Sequence, residues 1–400
     1  MKLTFIVFWI AFLGFNTTSI AQPQPLDLVS QAIGAIQDNF YDTAYGKVSD
    51  WERLKFEIFK QTDESNDAYQ GINNLLDSID DTSLRFLKKQ QFNTFFKELI
   101  TGEHIGLGLP ELLSVDIDSE TGDLIIIAPL YGSPAFNAGL RPRDKILTVN
   151  GQSTKGITIQ EAMKLLRVAE NKKVKLRIER NDRELTIKVK SKKVEPFQFP
   201  FYQTVEYKKQ KTGIIWLQQF SQGTGLRISE IVKNMETEGV ASIILDLRHN
   251  PGGLIKEAQI VAGLFLGEKP MAFTSSKNSA IKMLASTSAK QFDLPLTVLV
   301  DEGTASSAEA LAGVLQYYKR AKIIGTKTHG KGLIYDFYGL EDDSVLVMPV
   351  GRLRMLDHRD VLTKGIKPDQ IFKTKKTFKL HKSYKKDPLL KFVVKATYNN

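Results

Sequence analysis

The chain has 400 residues, 42% of them hydrophobic, with no cysteine and a formal net charge of +10. This length and apolar content suffice for two or three domains with full hydrophobic cores. The lack of cysteine excludes disulfide bonds, thiol catalysis and lipid attachment through an N-terminal cysteine.

The N-terminus has the pattern of an export signal. Lys2 precedes an apolar run over residues 3–15, and Ser19-Ile20-Ala21 places small residues at the spacing expected for cleavage. The run is about 13 residues long, which is shorter than the roughly 20 residues needed for a membrane-spanning helix. The pattern therefore predicts a signal peptide over residues 1–21 and a periplasmic or secreted protein. An anchoring helix is the less favoured alternative.

Residues 22–103 have the pattern of a helical region. Apolar residues recur at helical spacing over residues 29–40, 51–59 and 92–99. The acidic run over residues 77–83 is interpreted as a turn with capping residues, because it lacks the spacing and the closing glutamate of a calcium loop. No metal or other cofactor is predicted. The apolar face of the second helix is expected to contain Trp51, Leu54, Phe56 and Phe59.

Residues 104–194 combine a glycine-spaced loop with a run typical of peptide-binding domains. In the loop Ile105-Gly106-Leu107-Gly108-Leu109, backbone N–H groups can bind a terminal carboxylate. Residues 133–151 resemble the SPAxxAGLxxGDxIlxVNG run of bacterial PDZ domains. The resemblance implies a PDZ-like, β-rich domain whose five loop residues bind substrates with apolar C-termini. Pro110, directly after the loop, cannot donate a hydrogen bond to a paired strand.

After a linker at residues 194–203, strand and helix patterns alternate. This alternation predicts an α/β layer with parallel strands. The predicted strands cover residues 212–217, 242–247, 294–300 and 321–324, and the predicted helices cover residues 225–238, 252–266 and 306–318.

The segment over residues 373–400 is rich in lysine and is interpreted as a solvated exit from the last domain. Weak association with an anionic envelope surface is a less favoured interpretation. Nucleic acid is not a predicted partner, because no basic motif interleaved with aromatic residues occurs. Homo-oligomerisation is left open by the sequence.

Ser306 and Lys331 are the candidate catalytic residues. Ser306 lies between a predicted strand and a predicted helix, where the first backbone N–H groups of the helix are unpaired. Lys331 follows the next predicted strand in a glycine-rich turn, so a serine nucleophile and an amine base could meet. The amine works as a base only if burial depresses its pKa below the ordinary value of ~10.4. Taken alone, Ser306 also fits a helix cap and Lys331 a surface lysine.

Several runs together resemble the carboxy-terminal processing peptidases, or tail-specific proteases, which are Ser–Lys serine peptidases. Thr304–Glu309 and Gly330-Lys331-Gly332 resemble the active-site signature of that family. Residues 243–253 resemble its DLRxNPGG turn, and residues 364–369 match its closing GIxPD run. The resemblance implies an α+β and α/β multidomain protein, with a helical N-terminal region (22–103), a PDZ-like domain (104–194) and an α/β, crotonase-like catalytic domain (195–372).

The resemblance also implies the roles of individual residues. Ser306 would be the nucleophile and Lys331 the base, and the backbone N–H groups of Gly252 and Ser307 would form the oxyanion hole. The family commonly has Gln four residues beyond the lysine, where this chain has Tyr335. The Tyr335 hydroxyl can accept a hydrogen bond from the amine in place of Gln, or the change marks a weakened enzyme. His329 is a less favoured alternative base.

The predicted function is that of an exported serine endopeptidase that cleaves protein substrates near their C-termini. The PDZ-like domain would bind the substrate tail or control access to the active site. The main alternative is a catalytically silent member of the family that acts as a peptide-binding adaptor. A protease with broad cleavage and no preference for tails is a third option.

Overall fold

The structure is a computed structural model. The predicted signal peptide and residues 375–382 of the basic C-terminal segment lie outside the part that it describes. No helix in the described part is both long and apolar enough to cross a membrane. The described residues are 24–41, 50–79, 81, 83–118, 120–194, 200–275, 282–287, 292–374 and 383–398.

The N-terminal region is helical, as predicted, but it also contributes a strand. Its described elements are α1 (Pro25–Asn39), α2 (Trp51–Ser65), α3 (Ala68–Ile79), β1 (Arg85–Leu87) and α4 (Lys89–Thr101). Phe56 does not lie on the buried face of α2, because its side chain is 69% exposed. The buried face of α2 contains Ile58 instead, and a residue two positions away lies about 200° around the helix.

Residues 104–194 form a module of antiparallel strands and two helices. The main sheet has the order β3-β4-β5-β7-β8, with β6 paired to β5, while β2 pairs separately with β9. Helix α6 closes the core of the module, and Thr158 and Glu161 form a capping box at its start. The elements are β2 (His104–Gly106), β3 (Val115–Ile117), β4 (Leu124–Ile126), α5 (Pro134–Asn137), β5 (Lys145–Val149), β6 (Gln152–Ser153), α6 (Ile159–Leu166), β7 (Lys173–Arg180), β8 (Arg183–Lys190) and β9 (Lys192–Val194).

Residues 200–372 contain the strand–helix alternation that the sequence predicts, with extra strands before and after it. The described elements are β10 (Phe201–Tyr207), β11 (Gln210–Trp216), α7 (Thr224–Thr237), β12 (Ser242–Asp246), α8 (Ile255–Leu266), β13 (Pro270–Ser275), β14 (Lys282–Ala285), β15 (Leu296–Val300), α9 (Ser307–Tyr317), β16 (Ala321–Gly325), β17 (Leu333–Gly339), β18 (Val345–Met355) and β19 (Gln370–Ile371).

One sheet in this region has the order β10-β11-β12-β15-β16-β19, and its strands from β11 onward are parallel. Both faces are covered, so its strands are nearly continuous apolar runs. Ile215, Leu245 and Val298 pack with helices α7, α8 and α9 on one face. The alternate residues, such as Ile244 and Leu299, pack with the C-terminal segment on the other face. The carboxyl ends of the strands meet at one edge, where the candidate residues lie.

A second sheet joins the N-terminal region to this layer. Its order is β1-β18-β13-β14, and β17 also pairs with β18. Strand β18 is central because its two faces belong to different cores. Leu346 and Met348 pack with α1 and α3, whereas Val345 and Val347 pack near Phe95 of α4. The sequence analysis predicted none of these strands.

The C-terminal segment is not simply a solvated exit. Helix α10 (Pro388–Ala396) buries Leu390 and Val393 against the parallel sheet. Asp387 caps this helix and also accepts a hydrogen bond from the Arg248 guanidinium at 2.8 Å. Arg248 is in turn held by Asp246 at 2.6 Å. The DLR turn is therefore fixed to the end of the chain by buried charges.

Candidate active site

Ser306 lies at the start of helix α9 in a strained backbone conformation. Its φ of 53° and ψ of −120° fall in a region that residues with a Cβ rarely adopt. Gly252 approaches it closely, and a Cβ on Gly252 would lie 2.8 Å from the Cβ of Ser306. The turn therefore requires glycine at position 252, which itself has a φ of 103°.

The buried carboxylate of Glu309 connects the Ser306 turn to the Lys331 segment. Its Oε2 accepts hydrogen bonds from the backbone N–H of Ser306 at 2.8 Å and of Lys331 at 2.9 Å. Its Oε1 accepts from the Gly330 N–H at 2.7 Å and from the Thr328 hydroxyl at 2.5 Å. Burial raises the pKa of the Glu309 carboxyl, and these four donors oppose that effect.

Lys331 is buried, as its proposed chemistry requires. Burial lowers the pKa of the Lys331 ammonium, and the negative charge of Asp116 opposes this change. The Nζ atom donates a hydrogen bond to Asp116 Oδ2 at 2.8 Å. Asp116 is on β3 of the 104–194 module, and sequence reasoning did not identify it. Burial alone would raise the pKa of Asp116, but the Lys331 ammonium holds it below its usual value.

His329 is poorly suited to act as the base. Burial, together with the charge of Arg143, lowers its pKa to about 3. Its Nδ1 has no hydrogen-bond partner among the described residues, so no carboxylate orients the ring through that nitrogen. Its backbone is firmly held, because the His329 carbonyl accepts a hydrogen bond from Arg143 Nη2 at 2.7 Å.

The two predicted oxyanion donors, the backbone N–H groups of Ser307 and Gly252, differ in their hydrogen bonding. Ser307 is the first residue of α9, where a backbone N–H has no acceptor within the helix. The Gly252 N–H, by contrast, donates to Asn250 Oδ1 at 2.9 Å. Gly252 is thus next to Ser306 as expected, but its N–H is already engaged.

Tyr335 lines the same cleft as Lys331, together with Asp81, Asp116 and Asp118. Burial raises the pKa of the Tyr335 phenol, so it stays protonated. Its ring lies 5.7 Å from the guanidinium carbon of Arg85. In this arrangement the Lys331 ammonium bonds to Asp116, and the orienting role expected for the Tyr335 hydroxyl is not seen.

Arg85 is a buried cation that sequence reasoning missed. Its Nε is 3.3 Å from Glu111 Oε1, and both side chains are almost completely buried. Arg167 completes the cluster by donating to Glu111 Oε2 at 2.7 Å. The one signal in the sequence is a single arginine within the apolar run Leu84–Leu87. This cluster connects β1 to the module that carries Asp116.

The side chains of the glycine-spaced loop differ in their exposure. The side chains of Leu107 and Leu109 are buried in the core of the module. Ile105 is 58% exposed. Gly108 packs directly against Ser133, which leaves no room for a side chain. Residues 110–114 form a turn, closed by a hydrogen bond from Ser114 N–H to the Pro110 carbonyl, before β3 begins.

Comparisons with known proteins match two parts of the chain to known families. Residues 211–372 match peptidase family S41, and residues 125–180 match the PDZ domain family. A carboxyl-terminal-processing protease of Synechocystis sp. is 30% identical over 362 residues, which cover 90% of this chain and 84% of that protein. A probable CtpA-like serine protease of Staphylococcus aureus (strain COL) is 31% identical over 327 residues, which cover 81% of this chain but 63% of that protein.

A solved structure has the same architecture. The photosystem II D1 C-terminal processing protease superposes with a TM-score of 0.75 at 25% identity, covering 88% of this chain and 93% of that chain. The mixed α/β fold class with a PDZ domain, predicted from the sequence, is confirmed by these matches.

Proposed function

The chain belongs to the S41 family of serine-type carboxyl-terminal-processing proteases, and on this basis we propose that Ser306 and Lys331 are its catalytic dyad. Ser306 is the nucleophile and Lys331 the general base. The observation that best supports the pairing is the shared acceptor, since one oxygen of Glu309 binds the backbone N–H of both residues. The burial that lowers the pKa of Lys331 favours the neutral amine that a base requires.

The reaction follows from these roles. Ser306 Oγ attacks the scissile carbonyl while its proton passes to Lys331 Nζ. The protonated amine then gives that proton to the leaving peptide nitrogen, so the C–N bond breaks and an acyl-enzyme ester remains. A water molecule, deprotonated by Lys331, hydrolyses the ester and restores both residues.

The oxyanion in this mechanism needs donors preorganised beside Ser306. We assign this role to the Ser307 N–H at the start of α9, with the Gly252 N–H joining once it leaves Asn250 Oδ1. Tyr335 is proposed to accept a hydrogen bond from the Lys331 amine after Asp116 has released it.

The PDZ-like module is proposed to bind the C-terminal tails of protein substrates. Exposed Ile105 and the backbone of residues 106–109 are its candidate contacts. The predicted signal peptide supports a periplasmic or secreted location. In that compartment, unfolded or damaged chains with apolar C-termini would be accessible substrates.

The dyad is tested by turnover of an unfolded protein substrate. Ser306→Ala and Lys331→Ala should each abolish cleavage, and the double variant should be no worse than either, because residues that act as a unit are non-additive. Lys327→Ala, which changes another lysine lining the cleft, is the matched control and should retain activity. If Lys331→Ala kept the wild-type rate, the assignment of the base would be wrong.

Recruitment is tested separately by blocking the substrate tail. An amidated or charged C-terminus should weaken cleavage of a tail-bearing substrate more than that of a short unstructured peptide, because remote binding positions substrate without supplying the nucleophile. Equal cleavage of free and blocked tails would remove the tail-binding proposal. A folded wild-type protein with no turnover would instead support the adaptor alternative.

A further inference from the structure

We infer that Glu309 is a positioning residue that fixes the separation between Ser306 and Lys331, an inference that rests on the proposed dyad. The two residues lie on different elements, since Ser306 precedes α9 and Lys331 follows β16. The shared Oε2 atom accepts from both backbones, so neither can shift along its own segment without breaking a hydrogen bond. A second backbone link joins the neighbouring residues, with His329 N–H donating to the Thr304 carbonyl at 2.9 Å.

The hydrogen-bond pattern requires an ionised carboxylate at position 309. Three of its four partners are backbone N–H groups, which only donate. The fourth is the Thr328 hydroxyl, whose oxygen already accepts the Ile366 N–H at 2.6 Å. The Thr328 proton therefore points to Glu309 Oε1. Each carboxylate oxygen accepts two hydrogen bonds, and a protonated Glu309 would place a proton against one of these donors.

The Glu309 carboxylate holds the strained backbone at Ser306 in place. A serine with a φ of 53° persists only when its surroundings hold it in place. The Ser306 N–H is held by Glu309, and the segment that carries Lys331 is held by the same side chain through Gly330. Gly330 also has a positive φ of 95°, so both connected segments are in unusual conformations. The strained nucleophile and its base are thus fixed by one buried anion.

The charge of Glu309 also acts on Lys331. The charged groups that act on Lys331 are Asp116 from β3, Arg85 from β1 and Glu309 from α9. Nearby His329 stays neutral because burial lowers its pKa to about 3. The negative charge of Glu309 raises the pKa of Lys331, so removing it should make the neutral amine available at lower pH.

The test compares Glu309→Gln with Glu257→Gln. Glu257 is a matched control because it is also buried and accepts two backbone N–H groups, from Gly223 and Gly225, at the start of α7. Glu309→Gln should lower kcat about a hundredfold, since two hydrogen bonds to a charged acceptor are each worth about tenfold. It should leave KM within about twofold and move the rising limb of the pH–rate profile to lower pH. Glu257→Gln should lower thermal stability and leave both kcat and that limb unchanged.

A second pair of variants decides the matter if Glu309→Gln does not fold. Thr328→Val removes one donor to Glu309 and should lower kcat about tenfold. Thr328→Ser keeps the hydroxyl and should retain the wild-type kcat. The inference is overturned if Glu309→Gln loses thermal stability as Glu257→Gln does, while its kcat per folded molecule and the rising limb of its pH–rate profile equal those of the wild type. It is also overturned if Thr328→Val and Thr328→Ser turn over equally. Wild-type cleavage in Ser306→Ala would reject the proposed dyad instead, whatever Glu309 does.

Discussion

The ammonium of Lys331 lies 2.8 Å from the carboxylate of Asp116, a residue of strand β3 in the PDZ-like module. This contact favours the protonated amine and opposes the burial that lowers the pKa of Lys331. The same module also holds the segment before Lys331 through Arg143, which donates to the His329 carbonyl. If Lys331 is the base, as proposed, this contact occupies its amine in the structure.

Asp116→Asn is expected to raise activity. Burial lowers the pKa of Lys331 and Asp116 raises it, so removing the carboxylate lowers the pKa further. The neutral amine then exists at lower pH, and kcat/KM at neutral pH should rise about tenfold, the value of one hydrogen bond between charged groups. Measured pH–rate profiles should show the rising limb displaced towards acid.

Asp118→Asn is the control for this change. It removes the same formal charge from the same end of β3, but the Asp118 carboxylate accepts the backbone N–H groups of Glu120 and Thr121 in a turn. Asp118→Asn should therefore change the rising limb of the pH–rate profile only slightly. A loss of activity in Asp116→Asn as large as that in Lys331→Ala would mean that Asp116 orients the amine for catalysis.

Tyr335→Phe tests whether the phenol oxygen accepts a hydrogen bond from the Lys331 amine in the active state. The variant keeps the ring beside Arg85 and loses one hydrogen bond, so turnover should fall about tenfold. Tyr335→Gln, which restores the residue common in the family, should match or exceed wild type. Tyr338→Phe, on the same strand, should be neutral. Equal rates for wild type and Tyr335→Phe would show that the ring only fills space.

The Arg85–Glu111–Arg167 cluster predicts unequal effects on stability. Glu111→Gln removes the ion-pair partner of the buried Arg85 cation and should lower the free energy of unfolding by about 3–5 kcal/mol. Arg85→Met should cost much less, because Glu111 keeps its ion pair with Arg167. Urea titrations of the two variants measure the difference. Equal losses would contradict the argument from uncompensated charge.

Gly252→Ala should inactivate the enzyme with the fold largely preserved. The new Cβ would lie 2.8 Å from the Cβ of Ser306, so the nucleophile must move. A displacement of about 1 Å at a reacting group costs on the order of a hundredfold in rate. Gly223→Ala is the control for backbone strain, because its φ is also positive and no atom lies within 4 Å of the added Cβ. It should lose stability but not kcat.

The parallel layer could be predicted because its signals are local. Strands such as Leu296–Val300 are largely buried and are nearly continuous apolar runs, and the helices between them have apolar faces at helical spacing. Ser306 and Lys331 are proposed from short motifs that lie at the ends of these elements. Helix α9 begins within one residue of the expected position.

The second sheet and the partners of Lys331 could not be predicted, because they depend on contacts distant in sequence. Strand β1 has only three residues, and β17 is half-buried with a polar Asp336 in its middle. Asp116 alternates with Val115 and Ile117, which is the usual pattern for a solvent-facing residue of an amphipathic strand. Its partner Lys331 is 215 residues away in the chain, and no local pattern encodes that pairing.

The pairing of β1 with β18 has a consequence for how the protein reaches its native state. Phe86 is opposite Leu346, so the sheet joins residues from before and after the whole PDZ-like module. This sheet is incomplete until most of the chain has been synthesised, and closing such a long loop is slow. A chain released stepwise during synthesis would therefore complete this sheet, and the cleft beside it, only near the end of folding.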